Sequence, residues 1–189
     1  MQLAFYFDQT RCTGCWTCVI ACKDWHDVPA GPASWIRISE IQRGKYPDLF
    51  MAFMATPCYH CADPYCIPAC PHDAITKRAE DGIVIVDQEV CVGKDECGMC
   101  IDSCPYEAPQ FGDEQNAKMQ KCNFCIDRWE EGKPPICVAA CPTRALDAGP
   151  IEEMEAKYGK AQEAEGFQYD STLKPSIIVK SKPVISLIY

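Results

Sequence analysis

Sixteen cysteines fall into four quartets, with no cysteine left over. Cys12, Cys15, Cys18 and Cys22 are spaced C-x2-C-x2-C-x3-C. Cys58, Cys61, Cys66 and Cys70 are spaced C-x2-C-x4-C-x3-C-P. Cys91, Cys97, Cys100 and Cys104 follow C-x5-C-x2-C-x3-C-P, and Cys122, Cys125, Cys137 and Cys141 follow C-x2-C-x11-C-x3-C-P. Four converging thiolates are the ligand set of a [4Fe–4S] cubane. In a short secreted chain this many cysteines would suggest a disulfide scaffold. Repeated x2 spacing suits metal better than eight bridges. Zinc also accepts four thiolates, but usually from two well-separated C-x2-C pairs. Here three quartets carry three ligands inside a ten-residue window and add a fourth at x3. A Rieske centre needs two histidine ligands, and the chain has only His26, His60 and His72. The spacing therefore predicts four [4Fe–4S] clusters. His60, inside the second quartet, reads as a loop histidine that hydrogen-bonds locally.

The elements that position these thiols follow from the same spacing. In a two-cluster ferredoxin pattern the last cysteine, usually followed by proline, ligates the other cluster. Proline removes a backbone donor and stops a helix, so the chain turns there. Pro71, Pro105 and Pro142 occupy that position, whereas Cys22 continues as Lys23-Asp24-Trp25, compatible with a helix. Three quartets end in related tails: Cys70-Pro71-His72-Asp73-Ala74, Cys104-Pro105-Tyr106-Glu107-Ala108 and Cys141-Pro142-Thr143-Arg144-Ala145. Asp81-Gly82 marks a turn, and Ile83 to Val86 a strand between the second and third quartets. The expected class is α+β: tandem two-cluster modules of the bacterial ferredoxin type, with an inserted β-hairpin and a C-terminal extension. Residues 1–149 would hold the paired modules. The hairpin would occupy about 30–57, with strands at Trp35–Ile41 and Leu49–Thr56 around Gly44 and Pro47. The apolar run Leu49–Met54 reads as core or as a partner-facing surface.

Residues 150–189 read as a ligand-free tail. Pro150 and the acidic Glu152 and Glu153 favour a helix start, and Gly159 a stop. Ser176 to Tyr189 is extended and β-branched. The tail is either a clamp on a partner or a packed terminal strand. On the clamp reading, deletion beyond Gly149 leaves most of the iron and weakens partner binding.

Composition narrows the function. The formal charge is −9, which opposes nucleic-acid binding. The hydrophobic fraction is 48%, but it includes the sixteen cysteines, so the aliphatic core is thin and folding should depend on the cofactor. Arg11, Lys23, Lys94, Lys121 and Arg128 flank the quartets, either as ordinary surface charge or as groups that raise a cluster's potential. Met1 to Phe7 is too short for a signal peptide, and no apolar run approaches the ~20 residues of a membrane span. The expected location is cytoplasmic, or exported and membrane-associated only through a partner subunit, with no direct membrane insertion. No serine–histidine pair or phosphate loop stands out, and no catalytic residue is expected.

The motifs resemble a known family. Asp8-Gln9-Thr10-Arg11-Cys12-Thr13-Gly14-Cys15, Pro57-Cys58-Tyr59-His60-Cys61 and Cys66-Ile67-Pro68-Ala69-Cys70-Pro71 carry the likeness. So do Lys121-Cys122-Asn123-Phe124-Cys125-Ile126-Asp127-Arg128 and Lys174-Pro175-Ser176-Ile177-Ile178-Val179-Lys180. The sequence resembles the four-cluster electron-transfer subunit of the dimethyl sulfoxide reductase family of molybdenum or tungsten bis-pterin oxidoreductases. The third quartet departs from the family pattern, because its first x2 gap is x5 here. The resemblance implies that quartets one and four exchange their last cysteines, as do two and three. One cluster then takes Cys12, Cys15, Cys18 and Cys141, and a second takes Cys122, Cys125, Cys137 and Cys22. A third takes Cys58, Cys61, Cys66 and Cys104, and a fourth Cys91, Cys97, Cys100 and Cys70. It also implies a large molybdenum- or tungsten-pterin catalytic partner, and a membrane quinone-linked subunit or soluble carrier on the other side. An independent polyferredoxin and the iron–sulfur subunit of a hydrogenase are the rival readings.

Overall fold

The computed structural model describes residues 1–183; the end of the extended segment expected to reach Tyr189 lies outside the described residues. In chain order the elements are β1 (Leu3–Asp8), α1 (Thr17–Trp25), β2 (Ile36–Arg43), β3 (Phe50–Pro57), β4 (Ile75–Lys77) and β5 (Val84–Val86). There follow α2 (Met99–Asp102), α3 (Ile126–Glu130), α4 (Ile136–Ala140), β6 (Leu146–Pro150), α5 (Ile151–Tyr158) and β7 (Ile177–Lys180). Mixed short helices and strands joined by long loops are what metal-organised segments allow, since ligand bonds replace much of the aliphatic core.

Every residue of β1 is buried. Such a continuous apolar strand needs cover on both faces and both edges. It gets edge pairing from β6, antiparallel from Leu3↔Pro150 to Phe7↔Leu146, and from β7, parallel from Phe5↔Ile177 to Asp8↔Lys180. Phe5 packs on Phe124 at 4.6 Å between ring centroids. Phe7, Ile177 and Val179 join the same core, which also contains Cys18, Cys22, Cys58, Cys122, Cys137 and Cys141. The sulfurs and the aliphatic core are thus one packed body. A smaller core of Ile75, Val84, Cys100 and Met119 surrounds the third quartet.

β2 and β3 pair antiparallel from Ile36↔Pro57 to Arg43↔Phe50. Along β3, Ala52, Met54 and Ala55 are buried and Phe50, Met51 and Phe53 are half-buried, so the apolar run is mainly internal packing. β4 and β5 form a second, shorter pair, Ile75↔Val86 to Lys77↔Val84. Leu3 N–H donates to Asp81 O at 2.9 Å, tying the turn of that pair to the central sheet.

Segment 150–183 is not a detached appendage. β7 completes the central sheet, with Ile177, Ile178 and Val179 almost fully enclosed. Ser176 N–H donates to Tyr59 O, and Ala62 N–H to Lys174 O. Lys180 reaches Asp8 at 3.2 Å. Of the two readings of the tail, the packed strand is the one seen: deletion beyond Gly149 would strip β7 from β1 and expose the core that carries the thiols.

Helix α5 is anchored by a polar knot. Asp147 Oδ2 accepts from Lys157 Nζ at 2.8 Å and from Tyr158 OH at 2.6 Å, while Tyr158 stacks on Tyr6 at 3.6 Å. Partial burial raises the Asp147 pKa, but the Lys157 and Tyr158 hydrogen bonds outweigh it and hold the carboxyl below its usual value of 3.8. A depressed folded pKa gives stability that is present above the unfolded value and lost as pH falls through the folded one. Asp147→Asn should therefore cost roughly 1 kcal/mol at neutral pH, because Lys157 is largely solvated. The deficit should shrink as pH falls below 3.8 and vanish once the folded carboxyl is protonated as well. Urea titrations of both proteins at neutral and acid pH check this.

Candidate iron–sulfur centres

All sixteen cysteines are free thiols, so the disulfide alternative finds no bonded pair. Three cavities are each ringed by four of them. Cys12, Cys15, Cys18 and Cys141 line one, together with Phe7, Ile38 and Ala55. Cys58, Cys61, Cys66 and Cys104 line a second, with Tyr59, Met119 and Lys121. Cys70, Cys91, Cys97 and Cys100 line a third, again with Met119. The other four thiols are mutual neighbours: Cys125 raises the pKa of Cys22, and Cys122, Cys125 and Cys22 raise that of Cys137, in each case after burial, the larger cause. The structure thus brings the last cysteine of each quartet next to a different quartet.

Local backbone explains this exchange. Cys18 and Cys22 sit one helical turn apart on α1, and Cys137 lies on α4, which packs against α1. Residues four apart share a helix face, at about 5–6 Å. One helix therefore serves two neighbouring sites. Cys141 leaves α4 with φ −66° and ψ 110°, the extended conformation demanded by Pro142. That turn carries its sulfur to the cavity of Cys12.

The three cysteine–proline tails share a further device. Asp73, Glu107 and Arg144, each three residues after its cysteine, have positive φ of 54°, 52° and 55°. This left-handed step turns the following alanine N–H back toward sulfur in two of them. Ala108 N–H donates to Cys104 Sγ at 3.4 Å, and Ala145 N–H to Cys141 Sγ at 3.3 Å. The repeated alanine was visible in the sequence, but its backbone role was not. More N–H groups point at sulfur: Phe124 to Cys122, Ile136 to Cys125 and Met119 to Cys91, at 3.4–3.5 Å.

The lengthened third-quartet loop is held by Asn116. Its Nδ2 donates to Val92 O at 2.7 Å and to Glu96 Oε1 at 3.1 Å, and Lys94 N–H donates to Ala117 O at 3.0 Å. Gly93, at φ +99°, lies so close to Asn116 that a Cβ would strike its carbonyl oxygens. Loop length is absorbed by this clamp, and the thiols still meet.

Burial sets the protonation of the free thiols. It pushes Cys18, Cys22 and Cys66 up to about 12 and Cys100 and Cys125 up to about 11. Burial also holds Cys122 and Cys137 well above the ordinary value. Exposed Cys15 is lowered by hydrogen bonds from Thr17. At Cys141 burial acts upward, but bonds from Thr143 and the Ala145 and Leu146 amides prevail and lower it. Loading metal onto such thiols releases protons.

The donor set fits an iron–sulfur group: all sulfur, ringed around cavities, with N–H groups aimed at the sulfurs. Among the described residues no three His, Cys, Asp or Glu side chains are grouped to hold a lone metal ion.

Two histidines play parts that spacing did not suggest. His60 is buried, and its Nδ1 accepts from Val84 N–H, 24 residues away, at 3.0 Å. The expected local bonding of a loop histidine is thus replaced by a long-range bond that supports β5. His26 approaches Cys125 Sγ through Nε2 at 3.2 Å and stacks on Trp35. No helix among the described residues is long and apolar enough to cross a membrane.

Two overlapping stretches of the chain have known counterparts. Residues 11–74 and 49–151 each match a family model described as a 4Fe-4S dicluster domain. One of the chains of the anaerobic dimethyl sulfoxide reductase of Escherichia coli is 42% identical over 187 residues, covering 95% of this protein and 88% of that relative. A sulfite dehydrogenase subunit of Allochromatium vinosum is 34% identical, covering 88% of this protein and 77% of its own length. The formate dehydrogenase-O iron-sulfur subunit of E. coli is 33% identical, covering 82% of this protein and 55% of its own length. Exchanged thiols, dicluster matches and near full-length similarity agree: this protein belongs to the electron-transferring iron–sulfur subunit family of the dimethyl sulfoxide reductases.

Proposed function

We propose that the protein holds four [4Fe–4S] clusters and relays electrons between a molybdenum- or tungsten-pterin catalytic subunit and a membrane quinone-linked subunit or soluble carrier. The ligand sets are Cys12, Cys15, Cys18 and Cys141; Cys122, Cys125, Cys137 and Cys22; Cys58, Cys61, Cys66 and Cys104; and Cys91, Cys97, Cys100 and Cys70. The observation that carries the reading is the composition of the cavities: each is ringed by three cysteines of one quartet and the last of another. When bound, a [4Fe–4S] cluster exchanges single electrons at a potential set by charge, burial and hydrogen bonds to sulfur.

The protein's part is to hold the sites in a row. Cys18 neighbours both the first set and Cys137 of the second. Cys122 of the second neighbours Cys58 of the third. Met119 lines both the third and fourth cavities. Each end of this row carries exposed apolar side chains. Trp16 and Ile20 flank the first set, and Val90, Met99 and Ile101 flank the fourth. Such exposed apolar groups suit subunit contacts, and membrane association would come only through such a partner. Domain organisation follows the pairing: quartets one and four form one two-cluster module and quartets two and three the other, with the β2–β3 hairpin inserted between them. Relatives named as subunits of dimethyl sulfoxide reductase, sulfite dehydrogenase and formate dehydrogenase support a role in anaerobic respiration.

The anaerobically purified protein should contain about sixteen iron and about sixteen acid-labile sulfide, four of each per site. Iron and sulfide analysis tests this. Zinc in place of iron, or half the iron, defeats the four-cluster reading.

A further inference from the structure

Lys121 is a buried cation without an acidic partner. Its side chain is enclosed, at 3% residue exposure. Nζ donates to Val84 O, and to Cys122 O at 3.0 Å. Among the described residues no Asp or Glu forms an ion pair with it. It borders a groove that also contains Asp27 and Asp87, yet bonds to neither. Two carbonyl dipoles solvate an ammonium but do not neutralise it, and a buried charge is expensive unless paired.

The other wall of Lys121 is the cavity of Cys58, Cys61, Cys66 and Cys104. Val84 is held from both sides of its backbone, its N–H by His60 and its carbonyl by Lys121. The ammonium is thus fixed in place beside the cavity. From the ligand sets proposed above, we infer that Lys121 is the counter-charge of the cluster in this cavity and raises its reduction potential. Reduction adds one electron, hence one negative charge, beside a fixed positive charge. The reduced form is favoured by that attraction.

The test is an EPR-monitored redox titration of the purified full-length protein with Lys121→Gln and Lys121→Arg. Glutamine keeps a donor for the two carbonyls and removes the charge, whereas arginine keeps both. The midpoint for this cavity is assigned by its loss in Cys66→Ser. Lys121→Gln should lower that midpoint by about 59 mV, about tenfold in the reduction equilibrium. Lys121→Arg should shift it by less than half as much, and the other midpoints should hold. If Lys121→Gln loses the iron of this one site while Lys121→Arg keeps it, the charge requirement also stands. Full iron with an unmoved midpoint in Lys121→Gln overturns the inference, as does equal iron loss in both variants or a shift confined to another site. Failure of the four-cluster reading is separate, because it appears as missing iron in the unaltered protein.

Discussion

Cys141→Ser should empty the site of Cys12, Cys15 and Cys18, although Cys141 closes the quartet of Cys122, Cys125 and Cys137. Roughly four of about sixteen irons should be lost. The effect is large because all sixteen cysteines are already assigned, so no spare thiolate remains. Cys141 leaves α4 extended before Pro142, lines the first cavity, and receives N–H and hydroxyl hydrogen bonds where it stands. The Cys122 site should keep its iron, because Cys22 neighbours Cys125. Iron analysis and EPR of the variant, beside Cys22→Ser, separate the two sites. Loss confined to the Cys122 site in Cys141→Ser would mean that the quartets do not exchange ligands.

Deletion of every residue beyond Gly149 should cost most of the iron and the folded state with it. The cut removes β7, whose Ile177, Ile178 and Val179 are at most 2% exposed. Each such side chain contributes about 1.5–3 kcal/mol by burial, so the three together contribute roughly 5–9 kcal/mol. That rivals the ~5–15 kcal/mol stability of a whole domain. By contrast, Lys180→Ala should lose at most about 1 kcal/mol, because Lys180 is mostly solvated in its pair with Asp8. Circular dichroism with matched iron analysis reads both effects. An iron-replete, folded truncation would show that the sheet tolerates the loss of its parallel strand.

The iron–sulfur character of the chain was legible because the spacing within each quartet is local. Helix α5 was legible too, from Pro150, Glu152, Glu153 and Gly159, and it runs Ile151–Tyr158. What escaped was non-local. Nothing near Ile177 says that it pairs with Phe5 rather than with a partner protein; only the completed sheet does. His60 stands between two residues of a ligand motif, and its bonding partner comes from β5. Spacing left Lys121 either as surface charge or as a group that raises a cluster's potential, and its burial was not visible there. The left-handed residues Asp73, Glu107 and Arg144 share no residue type, so composition could not mark them. What they share is position after Cys-Pro, where the chain reverses and, in two of the three tails, returns an amide to sulfur.

The placement of β1 between β6 and β7 sets a timetable for synthesis. β1 emerges from the ribosome well before its partners, both of which come after the fourth quartet. At roughly 5–20 residues per second, it waits on the order of ten seconds for them. During that interval Cys12, Cys15 and Cys18 stand without Cys141. The second and third quartets, whose thiols all lie between Cys58 and Cys104, can meet while translation continues. The nascent polypeptide should therefore fill its inner pair of sites first and its outer pair last. Oxygen arriving in the gap would strike the earliest-made cysteines hardest, because waiting thiols are open to oxidation.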